Sequence, residues 1–117
     1  MLADAVRDLA GVLTVAGINA TGDARDLQVP GAWVEPAGVE FETLAAGNAT
    51  VRLRVLLIVP DNGPMASMDA LSDMLLTVRR LGLQMENITP TGATLVNHGA
   101  DPLPAIQLDA YVGVTDF

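Results

Sequence analysis

The chain has no cysteine among its 117 residues. Neither a disulfide framework nor a thiolate metal site can be built from it. Lysine is missing as well, so every basic residue is an arginine. Aromatic side chains are scarce, namely Trp33, Phe41, Tyr111 and Phe117. A core must therefore come from Leu, Val, Ile, Ala and Met. The longest apolar run, Val55 to Pro60, is far short of the about 20 residues that a membrane helix needs. Asp4 and Asp8 interrupt the first apolar stretch, and no basic segment precedes it, which is unlike a signal peptide.

Half of the residues are hydrophobic and only 17% are charged, a composition that folds rather than stays disordered. The formal net charge is −8. Such an excess of acid opposes sequence-independent binding to nucleic acid, which needs cations to displace counterions. It opposes docking to anionic membranes for the same reason. The length suits one domain, residues 1–117, that buries roughly two-thirds of its unfolded surface.

Hydrophobic spacing assigns the elements. Leu2, Val6, Leu9, Leu13 and Ala16 recur at steps of four and three, which predicts a helix over 1–16 with Gly17 as its stop. Residues 19–31 are rich in turn formers and read as a loop. A short strand over 32–35 should close at Pro36, and a second should run over 39–44 into a hairpin turn at 45–48. The strongest strand is 50–59. Val51, Leu53, Val55, Leu57 and Val59 form one face; Thr50, Arg52 and Arg54, then Leu56 and Ile58, form the other. This pattern predicts a central strand, half exposed at one end and covered at the other. A helix over 65–81 has Met68, Leu71, Leu75 and Val78 as its core stripe and Gly82 as its stop. Strands over 83–88, 91–97 and 103–115 complete the chain. The last presents Ile106, Leu108 and Ala110 on one side and Gln107, Asp109 and Tyr111 on the other. The expected fold class is α+β: a mostly antiparallel β-sheet with two α-helices packed on one face.

Residue types that carry chemistry do not assemble into a constellation. His98 has only Asp101 near it in sequence, which is too little for a metal site. The glycines lack phosphate-loop spacing. Ser67 and Ser72 have no activating base, and Ser67 reads as a helix cap. Asp69 and Asp73 share a helix face, where a solvated pair is the ordinary reading and a divalent-cation site or acid–base work the sharper one. Asn19, Asn48 and Asn87 head Asn-X-Ser/Thr triplets that matter only in a secretory pathway. The methionines are explained as core filling. No enzyme, cofactor or metal is expected. Arg52 and Arg54 lie two apart on one strand face. Two readings stand level: pairing with a neighbouring subunit's carboxylates, or cross-strand pairing within the sheet, for example to Asp109 or Glu42. Trp33 is either a core residue or an interface anchor.

Three stretches together carry a family likeness. They are Thr21-Gly-Asp-Ala-Arg-Asp-Leu-Gln-Val-Pro-Gly-Ala-Trp-Val-Glu-Pro36 after the first helix, the strand Val51 to Val59 leading through a Pro/Gly turn into Met68 to Leu76, and the closing Leu103 to Val112. The pattern covers nearly the whole chain and resembles the tail terminator proteins of long-tailed (siphovirus-type) bacteriophages, especially of actinobacterial hosts. Its motifs are structural. The resemblance implies a homo-oligomeric ring, a hexamer, at the head–tail junction of the virion, assembled in the host cytoplasm. Such a ring ends polymerisation of the tail tube protein and docks to the head connector or stopper protein, while DNA passes through the pore without specific binding. It implies no catalytic residue. A closed ring needs a heterologous interface. The polar sheet face, with Trp33, Arg52, Arg54, Gln107, Asp109 and Tyr111, and the loop with Arg25 and Asp26, are the candidate interface residues. Two alternatives remain open: another head-completion or minor tail protein, and a small-ligand binding or regulatory module.

Overall fold

The computed structural model of the chain describes residues 2–41, 49–94 and 101–114. The turn expected at 45–48, the strand ends at 42–44 and 95–97, and His98 lie outside these residues.

Two helices, α1 (Leu2–Val15) and α2 (Pro64–Arg80), pack on one face of a five-stranded sheet. The strands are β1 (Ala20–Thr21), β2 (Gly31–Phe41), β3 (Ala49–Ile58), β4 (Met85–Ala93) and β5 (Leu103–Val114), and the order across the sheet is β1-β2-β3-β5-β4. All pairings are antiparallel except that of β1 with β2. The α+β class read from the sequence is the observed one.

Helix α1 ends where the sequence places its stop. Gly17 has φ of 98°, its N–H donates to the carbonyl of Thr14 at 3.0 Å, and the N–H of Ile18 donates to Leu13 at 3.0 Å. This is a Schellman closure, and its accompanying apolar pair, Leu13 and Ile18, sits in the core. Helix α2 likewise ends before Gly82, at φ of 73°.

Strand β3 is the centre of the fold. Val51, Leu53, Val55, Leu57 and Val59 are all buried, against Ala5, Leu9 and Leu13 of α1, Leu71 and Val78 of α2, and Leu108 and Ala110 of β5. Fully burying each such side chain contributes about 1.5–3 kcal/mol.

Several expectations need correction. The two strands expected over 32–35 and 39–44 form one strand, because Pro36 does not end it. A bulge between Pro36 and Gly38 absorbs the irregularity, and β1 pairs only with Ala32 and Trp33, so Pro36 removes no ladder hydrogen bond. Strands expected over 83–88 and 91–97 are also one, β4, with a second bulge between Glu86 and Thr89 where Asn87 takes φ of 55°. The segment read wholly as loop contains β1 and a single 3₁₀ turn, Ala24–Asp26. On α2 the buried face is Ser67, Leu71 and Val78, flanked by Met74 and Leu75, which turns Met68 outward at 53% exposure. Met65 is exposed too, so core filling does not account for these two methionines. Ser67 caps nothing: its hydroxyl donates to the carbonyl of Pro60 at 3.4 Å, and the N-cap residue is Gly63.

The two sheet edges are blunted. Pro36 and a bulge lie on β2, and Pro90 and a bulge lie on β4. Such edges resist pairing with strands of other chains.

Candidate functional site

The face of the sheet opposite the helices carries most of the residues singled out from the sequence. Strand register sorts them into rows. One row is Trp33, Leu56, Gln107 and Thr89; the next is Glu35, Arg54, Asp109 and Glu86; the third is Gly38, Arg52 and Tyr111. Period-two alternation along each strand puts all of these on one side.

The first row is apolar at its centre. Trp33 and Leu56 are half-buried and pack with Leu27, Ile58, Ala93 and Ala105 in a second cluster, separate from the helix-side core. Leu27 and Val29, from the segment that follows the 3₁₀ turn, help to cover this end. The sequence pattern of β3, polar then apolar on its second face, thus corresponds to an open polar end and an apolar end that Leu27 and Val29 cover only in part, Trp33 and Leu56 staying half-buried.

The middle row is a charged ladder. Nη1 of Arg54 donates to Oε1 of Glu35 at 3.0 Å. Cross-strand pairing within the sheet therefore accounts for Arg54, with Glu35 as the partner although Asp109 stands opposite it in register; Glu42 lies outside the described residues. Asp109 is buried, 9% exposed, and Oδ2 accepts from Nδ2 of Asn87 at 3.0 Å. The bulge in β4 places that amide, since asparagine tolerates the left-handed conformation better than most residues.

In the third row a cation has no acid partner among the described residues. Arg52 donates from Nη2 to the carbonyl of Ala37 at 3.3 Å and has no carboxylate within ion-pair reach among the described residues. Its guanidinium lies over Gly38, where a Cβ would come 3.3 Å from Nη2, so the missing side chain makes the space. Nε of Arg52, like Nε of Arg54, is buried with no hydrogen-bond partner among the described residues. Such an orphaned donor costs about 1–3 kcal/mol of desolvation. Beside it the Tyr111 hydroxyl donates to Oε2 of Glu86 at 2.9 Å. That bond, then desolvation and the charge of Glu86, hold the phenol above its ordinary value of 10.0, while Arg52 pulls the other way.

Arg25 and Asp26 are not part of this face. They lie in the 3₁₀ turn beyond β1, where Asp23 caps the turn by accepting from the Arg25 N–H at 3.0 Å. The Arg25 guanidinium returns to Asp23 at 2.9 Å, and that side-chain hydrogen bond keeps the Asp23 carboxyl below 3.8. The loop and the sheet face are two surfaces.

No protein-family model matches the chain, and no curated protein matches it. Among the described residues no three His, Asp or Glu side chains lie together as a metal cage would require, and no helix is long and apolar enough to cross a membrane. A groove of about 900 Å³ lies away from the open face, between α1 and the β1 edge, lined by Leu2, Val6, Ala10, Val15, Val34 and neighbours.

Sequence reasoning passed over Glu35, Gly38 and Glu86, and read Asn87 only as the head of an Asn-X-Thr triplet, not as the partner of Asp109. Their roles depend on the two bulges, which set the register that brings them opposite Arg54, Arg52 and Asp109. The only local signals were Pro36 beside Gly38 and an asparagine inside an irregular strand.

Proposed function

We propose that this chain is a structural subunit of a bacteriophage head–tail joint. Copies close into a ring, six in number, that caps the tail tube, ends its polymerisation and offers a surface to the head connector. DNA passes through the ring without being gripped, as the net charge of −8 favours. The role is mechanical and needs no catalytic group. The likeness of the three sequence stretches suggests the reading. The structural observation that carries it is the uncovered sheet face with Arg52 held over Gly38 and lacking a carboxylate partner among the described residues. A surface on which a half-buried cation has no carboxylate partner among the described residues is suited to meet acid from a neighbour.

The test is tube capping. Added to growing tail tubes, the protein should stop elongation and appear as a ring at the tube end in electron micrographs. Tubes that lengthen unchanged would refute the reading. The apolar groove beside α1 favours a second reading, a small-ligand module. Thermal stabilisation by a small apolar compound, lost on Ala10→Trp, would support that one.

A further inference from the structure

We infer that the outer face of α2 of one copy packs on the open sheet face of the next, Asp73 meeting Arg52. The inference rests on the ring reading above and specifies its interface.

Helix α2 has an outward stripe unlike an ordinary solvated face. Met65 is 70% exposed, Met68 53% and Leu76 46%. Asp69 and Asp73 border this stripe, both exposed and neither ion-paired among the described residues. The opposite side of the subunit presents the complement: the half-buried Trp33 and Leu56, then Arg52. Exposed apolar surface on one side and an unpaired acid–cation match between the two sides make a heterologous contact.

Spacing agrees along the contact. From Met65 to Asp73 a helix rises about 12 Å. From Leu56 to Arg52 a strand spans about 13 Å. A helix laid along β3 with Met65 over Leu56 thus brings Asp73 over Arg52. The helix then continues to Arg79 and Arg80 near the row of Thr50 and Glu40, which is exposed. Because α2 and the open face lie on opposite sides of one sheet, each copy has one of each free, and the contact propagates from copy to copy. The blunted strand edges direct association to faces.

The chain has no cysteine, so engineered disulfides report contacts cleanly. Gln107 stands in the Leu56 row. Under mild oxidation, a mixture of Gln107→Cys and Met65→Cys chains should yield a crosslinked pair containing one of each, whereas neither variant alone should crosslink. Circular dichroism checks that both remain folded. Adding Arg52→Glu to the first variant should lower the yield roughly tenfold, and adding Asp73→Arg to the second should restore it. Either variant crosslinking to itself, no mixed pair at any concentration, or a mixed yield indifferent to the charge swap overturns the inference. The ring is judged separately by a chain carrying both cysteines. Products that stop at one closed size support it; an open-ended ladder leaves the helix-to-sheet contact standing and removes the ring.

Discussion

The side-chain amide of Asn87 donates to the Asp109 carboxylate at 3.0 Å, from a bulge in β4 to the adjacent strand β5. The bulge turns Asn87 to φ of 55°, and Asp109, 9% exposed, is the group that rewards the turn. Replacing Asp109 by Ala removes this hydrogen bond from the exposed Asn87 and should cost about 0.5–1.5 kcal/mol in chemical denaturation. Asp109→Asn keeps an acceptor and should cost less. Equal losses in the two variants would show that the hydrogen bond does not hold the bulge.

Tyr111 is the only tyrosine, so its ultraviolet phenolate signal reports one site. Its hydrogen bond to Glu86 raises the folded-state value above 10.0. A raised value means that this bond's contribution is fully present below the unfolded value and is lost as pH rises through the folded one. The phenolate should therefore appear at higher pH in the folded protein than in denaturant. Glu86→Ala should move it back down. A titration indifferent to that change would contradict the Tyr111–Glu86 contact.

Gly31 is held tightly by backbone. A Cβ there would lie against the carbonyl oxygens of Gln28 and Asn19. Gly31→Ala should destabilise by about 1–3 kcal/mol and free the Asn19 carbonyl, which accepts from the Ala32 N–H at 2.7 Å. Hydrogen exchange at Ala32 checks this, and unchanged protection would count against it.

The two sides of α2 should respond oppositely to truncation. Leu71→Ala removes a buried contact and should cost about 2–5 kcal/mol. Met68→Ala, on the exposed stripe, should stay within about 0.5 kcal/mol for the isolated chain. Comparable losses would mean that the helix is rotated from the orientation described.

These contrasts show where the sequence was legible. Strict alternation from Val51 to Val59 identified the central strand and its buried face, and Gly17 and Gly82 marked both helix ends, because each signal is local. The rotation of α2 was not local. Met68 and Ser67 are neighbours, and the buried place went to the small serine, whose hydroxyl reaches the Pro60 carbonyl. Strand mergers escaped for a similar reason. Pro36 reads as a breaker until it is known that β1 is too short to pair with that part of β2. Of the candidate residues, Trp33, Arg52, Arg54, Gln107, Asp109 and Tyr111 share one face because alternation fixed their side. The partners Glu35 and Asn87 depended on bulges that no spacing rule announces.

The most direct test of the ring is the native mass of the protein across concentration, alone and with tail-tube ends present. The account predicts a closed species six times the mass of the 12.2 kDa chain, weakened by Arg52→Glu. A species that stops at two copies, or a chain that stays single while tube ends go on growing, would contradict it.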